Sequence, residues 1–370
     1  MKIAIDVRHL TGPFSGIPSY VLRNIKALES EPEIELILLS DVKPSDIYNL
    51  KETSLRIYGK KLNHARYLWR YHKFVCKVAK EEKIDLLWMT TTEIPYCKNH
   101  DFRFVVTVHD AIPITNPEFH DLIGRLRFRL HLKDVIKYAD GIIYVSKWSK
   151  DVVSKIYSSG KIKSIEAIIP PIISEKVFIL NSLQSTEKLQ SVFNNKHFLF
   201  YLGALGRRKG VFLIKEVARE LENINFVLAG RNTKDTQELL SNTKDLKNFI
   251  VLGAISDDER NYLISKCDAF IFPSYAEGFG MPIVEAMLAK KPVICSDLPI
   301  FKEVTEGNAI FFKIGDVEDF SQAITKFYSM SEEEKEKMIK KGLEISKKYS
   351  EKIVKDKLIQ FFNQVLTETR

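Results

Sequence analysis

Residues 269–285 read AFIFPSYAEGFGMPIVE. The apolar run up to Phe272 and Pro273 predicts a buried strand. Gly278 and Gly280 predict a turn whose backbone can approach a ligand closely, because neither residue carries a Cβ. Pro282 is tolerated in a first helical turn, and the helix it opens continues through Ala286, Met287 and Leu288 and stops before Pro292. Strand, glycine turn and helix in that order are the repeating unit of a parallel α/β sheet, which binds ligands beyond the carboxyl ends of its strands. On this reading Glu277 lies in the loop and Glu285 in the first helical turn, so both carboxylates reach one crevice. There they can accept hydrogen bonds from a polyhydroxylated ligand, while helix amides suit a phosphate. Taken singly, Glu285 also reads as a favourable dipole contact and Glu277 as a solvated loop residue.

Outward from this segment, the first half alternates KIAIDV, IELILLS, KIDLLWM, RFVVTVHD and GIIYVS with helical patterns, which predicts parallel strands joined by crossover helices. Strands ending in polar residues deliver His109, Asp110 and Ser146 to one sheet edge, with Ser146 placed to cap a helix. Pro170 and Pro171 stop a strand, and LNSLQSTEKLQSVFNN has no clear period, so it reads as a linker. A second series follows: HFLFYLG, NFVLAG, NFIVLGAI, AFIFPS and PVICS. The expected organisation is residues 1–178, a linker at 179–195 and a second domain at 196–348, with a helix at 349–370 returning to the first domain. Its apolar positions are Ile353, Leu358, Ile359, Phe362 and Val365.

The chain has 370 residues, 45% hydrophobic and 28% charged, which suits two globular domains. Its opening MKIAIDVRHL is too short and too charged to be expected as an export signal and reads as a first strand, and no apolar stretch reaches membrane-spanning length. Cys76, Cys97, Cys267 and Cys295 are scattered without metal-ligand spacing and read as structural thiols in a reducing cytosol. The net charge of +8 is concentrated in two stretches. Lys60–Lys73 holds Lys60, Lys61, Arg66, Arg70 and Lys73 with Tyr67, Trp69 and Tyr71 interleaved. Arg125–Lys133 holds Arg125, Arg127, Arg129 and Lys133. These read either as solvated helix faces or as a surface for an anionic membrane. No nucleic-acid motif accompanies them.

YLGALGRRKG, residues 201–210, closes the first strand of the second series and opens a helix. Gly203 and Gly206 permit a tight turn, and Arg208 and Lys209 stand at the helix entrance, where cations oppose the macrodipole unless an anion joins them. A diphosphate would resolve that conflict.

E-G-F-G-M-P-I-V-E-A resembles the E-x7-E signature of retaining GT-B glycosyltransferases of family 4 (group 1). YLGALGRRKG, the loop GPFSGIPSY containing Gly16, VTVHDAIP with His109, and VLGAISDDER with Ala254 and Ile255 follow in the family's order. The resemblance implies two Rossmann-like domains facing across an interdomain cleft. It implies a nucleotide-sugar donor bound by the second domain, no metal and no further cofactor. His109, Glu277, Arg208 and Lys209 would serve the reaction. Gly16, Gly203, Ala254, Ile255, Gly278, Phe279, Gly280, Met281, Pro282 and Glu285 would line the donor site. The family's earlier Arg position is occupied by Ala204, which leaves Arg208 to do that work. The spelling is most similar to mannosyltransferases of polysaccharide assembly, so the expected donor is GDP-mannose, with UDP-glucose, UDP-GlcNAc or a dTDP-deoxysugar as alternatives. The expected acceptor is a glycan or lipid-linked glycan, and the expected location is cytoplasmic, peripheral at the inner membrane face. A sugar-nucleotide epimerase of the same fold and a non-catalytic sugar-binding protein are the competing classes.

Overall fold

The computed structural model describes residues 1–12, 16–60, 65–157, 162–173, 189, 193, 197–241, 243 and 246–368. The chain divides into two compact units, Met1–Ile172 with Glu351–Arg370, and Ile173–Ser350. The linker expected at 179–195 lies outside the described residues except at 189 and 193.

The first unit is built on a parallel sheet of β1 (Lys2–Asp6), β2 (Glu35–Ser40), β3 (Leu55–Ile57), β4 (Leu86–Met89), β5 (Arg103–Val108), β6 (Gly141–Tyr144) and β7 (Ile165–Ile168), in the order β3-β2-β1-β4-β5-β6-β7. Its helices are α1 (Gly16–Leu28), α2 (Ala65–Glu81), α3 (Ile112–Thr115), α4 (Leu122–Tyr138) and α5 (Lys147–Ile156). Ser146 caps α5, accepting from the Ser149 amide at 3.0 Å.

The second unit repeats the plan with β8 (Phe198–Leu202), β9 (Asn225–Ala229), β10 (Phe249–Gly253), β11 (Ala269–Phe272), β12 (Val293–Ser296) and β13 (Ile310–Phe312), in the order β10-β9-β8-β11-β12-β13. Its helices are α6 (Val211–Glu220), α7 (Thr236–Leu240), α8 (Asp257–Lys266), α9 (Met281–Leu288), α10 (Pro299–Thr305), α11 (Val317–Ser329) and α12 (Glu332–Ser346). The central strands are buried along their length, as parallel strands covered on both faces must be. In each unit the strand order reverses once, between β1 and β4 and between β8 and β11, and ligands of such sheets settle at that point.

The last helix, α13 (Glu351–Thr367), belongs to the first unit. Phe362 meets the Trp88 ring edge-on at 5.4 Å. At the start of β6, a Cβ on Gly141 would stand 2.7 Å from Val365 and 2.8 Å from Phe361, so the absent side chain is what lets the helix dock. Leu358, Phe362 and Val365 of α13 are buried as expected, joined by Val354 and Phe361, whereas Ile359 is half-buried and Ile353 exposed.

Three further sequence expectations are corrected. Cys76 and Cys97 are not free thiols but a disulfide with Cα atoms 5.3 Å apart, because α2 and the loop after β4 return to each other across a separation of 21 residues. Cys267 and Cys295 are free and buried. Tyr71 is fully buried rather than part of a surface cluster, while Trp69 is exposed with the Lys73 ammonium over its ring at 3.6 Å. Lys61 and the side chains of Arg66 and Tyr67 lie outside what is described. Finally, α9 starts at Met281, so Glu285 falls in the second helical turn, not the first, and is buried.

Candidate functional site

At the β8/β11 reversal two loops are stitched together. The Tyr275 amide donates to the Arg208 carbonyl at 2.8 Å. Gly210, at φ +71°, caps α6, and a Cβ there would stand 1.9 Å from the Pro273 carbonyl oxygen, so only glycine allows the two loops to touch. The approach brings side chains 68 residues apart in sequence into one cluster. The Lys209 ammonium donates to Glu277 Oε1, and Ser274 Oγ donates to the same oxygen at 2.9 Å. The Arg208 guanidinium donates to the Ala276 carbonyl at 2.5 Å and stands 3.8 Å from Glu277 Oε2. Burial opposes ionisation of Glu277, but Lys209 and Arg208, with the hydrogen bonds from Lys209 and Ser274, outweigh it and hold its carboxyl below the ordinary range. Arg207 turns the other way, toward Glu238. Two cations thus meet one carboxylate, leaving the loop electropositive at the entrance to a helix.

The other residues expected in this unit follow the strand ends or open the helix after β11. Gly203 follows β8, where a Cβ would press on the Tyr201 hydroxyl at 2.5 Å. Ala254, exposed, and Ile255, half-buried, follow β10 at the same sheet edge. Gly280, at φ +94°, caps α9 with no side-chain hydrogen bond, and a Cβ would meet Phe301 at 2.9 Å. Gly278, Phe279 and Gly280 are buried, and Phe279 packs edge-on against Tyr349 at 5.3 Å, so a ligand would meet this segment through its backbone. Met281 and Pro282 are half-buried in the first turn of α9.

In the first unit, His109 follows β5. Its Nε2–H donates to the Thr90 carbonyl at 2.8 Å, and its ring meets Tyr20 edge-on at 4.9 Å. Burial, partly offset by the Thr90 contact, pushes its imidazole down to about 4. His109 is therefore neutral at pH 7, with Nδ1 left as an acceptor. Gly16 opens α1, where a Cβ would meet open space.

Sequence reasoning missed a second polar cluster, at the β1/β4 reversal. Asp6, fully buried at the end of β1, takes a bidentate contact from Arg8 at 2.9 and 2.7 Å and a hydrogen bond from the Tyr71 hydroxyl at 2.9 Å. Arg8 lies over the Tyr71 ring at 4.4 Å and also donates to Glu93, which follows β4. His72 of α2 and His131 of α4 flank Glu93 at 3.8 and 3.7 Å. Burial, then Arg8, pushes His72 down to about 4, and burial lowers His131 as well, so Glu93 sits between neutral imidazoles. Among the described residues no group of His, Cys, Asp and Glu is arranged to hold a metal ion. The signal that could have found Asp6, Arg8 and Glu93 is their place after β1 and β4, the two strands at the reversal.

A cavity of about 570 Å³ in the first unit lies at the opposite sheet edge, near Arg103, Asp140 and Ile165 at the strand starts.

Residues 184–344 match the model of "Glycosyl transferases group 1". The chain is 26% identical over 334 residues to the O-antigen chain mannosyltransferase RfbU of Salmonella typhimurium, covering 86% of this chain and 89% of that one. Its fold matches the sucrose-phosphate synthase of Thermosynechococcus elongatus with a TM-score of 0.79 at 16% identity, over 100% of both chains. It matches Anabaena Alr3699/HepE in complex with UDP and glucose with a TM-score of 0.79 at 17% identity, over 98% of this chain and 99% of that one. The fold is GT-B.

Proposed function

We propose that this chain, whose residues 184–344 match the glycosyl transferases group 1 model, is a glycosyltransferase that moves mannose from GDP-mannose to a glycan or lipid-linked glycan in polysaccharide assembly, with retention of configuration. The observation that carries this reading is the Arg208–Lys209–Glu277 cluster at the β8/β11 reversal. Breaking the anomeric C–O bond moves an electron pair onto the diphosphate. Arg208, Lys209 and the entrance of α6 stabilise that charge in place, which is the kind of fixed electrostatic help that dominates many enzymes. Glu277 holds the Lys209 ammonium in position before the donor arrives and then orients sugar hydroxyls. Glu285 binds the ribose, and the backbone from Gly278 to Pro282 follows the sugar and phosphates. Ala254 and Ile255 lie by the base, and Gly203 leaves room for the phosphates. In the first unit His109 Nδ1 accepts from a donor hydroxyl, and Gly16 opens the loop near the acceptor. The reaction uses no metal or further cofactor, because cationic side chains meet the diphosphate.

RfbU, at 26% identity, supports mannose. A UDP-hexose donor is the second reading, favoured by the UDP and glucose held in the Anabaena structure of the same fold. A lipid-linked acceptor brings the chain to the inner face of an anionic membrane, which the cationic stretches Lys60–Lys73 and Arg125–Lys133 suit. The test is release of nucleoside diphosphate from GDP-, UDP- and dTDP-sugars with and without a panel of lipid-linked saccharides. Acceptor-dependent release of GDP supports the proposal. Conversion of the donor without an acceptor indicates an epimerase, and binding without turnover a sugar-binding protein.

A further inference from the structure

The crossover from β4 to β5, residues 90–102, contains no helix. Parallel strands leave the sheet at one edge and enter it at the other, so this segment runs the depth of the sheet. It carries Glu93 just after β4, and then Tyr96, Cys97 and His100 along the cavity of about 570 Å³ near the strand starts. Two contacts hold it on α2: the Cys76–Cys97 disulfide, and the Lys80 ammonium, which donates to the Lys98 carbonyl at 2.7 Å. Tyr96 is nonetheless 75% exposed. A tyrosine displayed to solvent from a pinned loop presents a rigid ring with little entropy left to lose, the condition under which aromatics serve as contact surface. Tyr138, the last residue of α4, is 44% exposed and lines the same cavity. The helix end that carries it is closed by the Ala139 amide, which donates to the Val135 carbonyl at 2.9 Å.

The chemistry of the lining decides what fits. Phe104, Ala139 and Val365 are buried and give the cavity an apolar side. Its charged residues are three cations, Arg103, Lys137 and Lys163, and three carboxylates, Asp134, Asp140 and Glu368. Several are matched to neighbours. Arg103 stands 3.3 Å from Asp140 and donates to the Glu368 carbonyl at 3.1 Å, Asp140 also accepts from the Phe104 amide at 2.8 Å, and the Lys137 ammonium lies 4.8 Å from the centre of the Tyr138 ring. A lining so balanced gives a nucleotide or a phosphate no excess of cations to meet. A purely apolar ligand would strip water from these polar atoms and return no hydrogen bond. A saccharide suits both features, because its C–H faces stack on aromatic rings while its hydroxyls donate and accept. His100 directs its Nδ1–H to the Phe102 carbonyl at 2.9 Å, so its ring presents Nε2 to a hydroxyl. We propose that this cavity binds a neutral stretch of glycan away from the end that reacts. This deepens the glycan-acceptor reading above and rests on it for its role in transfer. Tyr96 lies three residues after Glu93, at most about 11 Å of extended chain. A glycan seated against Tyr96 therefore has the crossover to follow toward the polar cluster at the β1/β4 reversal.

The test is affinity electrophoresis of the full chain through gels containing α-mannan or dextran, both neutral, or dextran sulfate. The wild type should be retarded by at least one of the two neutral glycans. Tyr96→Ala/Tyr138→Ala changes two exposed side chains, and its thermal transition and its response to GDP should match the wild type. Its affinity for the glycan should fall at least about tenfold, the scale of truncating two aromatic contacts. Lys163→Ser, which removes an exposed cation, should change that affinity less than about threefold. A wild type that migrates alike with and without both neutral glycans overturns the proposal. So does retardation that the tyrosine variant retains, or a preference for dextran sulfate that Lys163→Ser abolishes, which would make the cavity an anion site. The gels contain no nucleotide-sugar, so failure here leaves the transfer reading standing, and failure of transfer leaves the glycan retention intact.

Discussion

Replacing Glu277 with Gln keeps the shape of the side chain and an oxygen for Lys209 and Ser274, and removes one negative charge between two cations. The Lys209 and Glu277 side chains are only 17% and 10% exposed, so the lost pairing is not dissolved by solvent. Stranding one member of a buried pair costs about 3–5 kcal/mol, and the remaining amide oxygen reduces this to about 2 kcal/mol. For a domain of this size that lowers Tm by about 4–8 °C. The same substitution should strengthen nucleotide binding, because Glu277 and a bound diphosphate compete for the same ammonium. Two such charges about 5–8 Å apart repel by about 2–3 kcal/mol at an effective dielectric of about 20. After screening, GDP should bind at least about fivefold tighter and raise the Tm of the variant more than that of the wild type. Sugar transfer should fall at the same time, since the hydroxyl contact is lost. The carboxyl of Glu277 is held below its ordinary range, so its contribution to stability is present above the unfolded pKa and lost as pH falls through the folded one. Wild type and variant should therefore draw together as pH falls below the unfolded carboxyl value of about 4.3. Differential scanning fluorimetry with and without GDP, across pH, reads all of this. An unchanged Tm together with an unchanged GDP shift would refute the reasoning.

Lys209→Ala should lower kcat/KM by about 10²–10³, the scale of removing one donor to a developing anion, and a loss under about threefold removes Lys209 from the diphosphate site. Gly210→Ala combines φ +71° with a Cβ placed 1.9 Å from the Pro273 oxygen, so it should destabilise the chain by about 3 kcal/mol or more, and a denaturation midpoint equal to wild type contradicts the loop contact. His109 and His72 are both pushed down to about 4, mainly by burial. Each then favours the folded state fully above its unfolded value near 6.5, a contribution that is lost as pH falls from about 6.5 to about 4. Urea midpoints at pH 7 and pH 5 should differ less in His109→Asn than in the wild type, and an equal difference would show that His109 titrates normally.

The fold was legible where strands are apolar on both faces, as in FLFYL and AFIF, because such runs have no alternative but a covered parallel sheet. β3 and β13 escaped because each has only three residues and is not fully buried, leaving no pattern to count. Arg208 and Lys209 were legible through the glycines around them, and Gly210 through none of its neighbours, since its constraint comes from Pro273. What sequence cannot display is pairing at a distance. Glu277 meets Lys209 across 68 residues, and Arg8 meets Glu93 across 85. Only the strand order, which sets β1 beside β4 and β8 beside β11, turns those separations into contacts. The disulfide between Cys76 and Cys97 was hidden for the same reason.

Isothermal titration of the wild type and Lys209→Ala with GDP, UDP and the corresponding nucleosides tests most directly whether the second unit holds a nucleoside diphosphate on Arg208 and Lys209. The account predicts one diphosphate per chain, nucleosides binding at least about tenfold more weakly, and a loss of at least about tenfold for the diphosphate in Lys209→Ala. Nucleoside and diphosphate binding alike, or a diphosphate indifferent to Lys209, would contradict it.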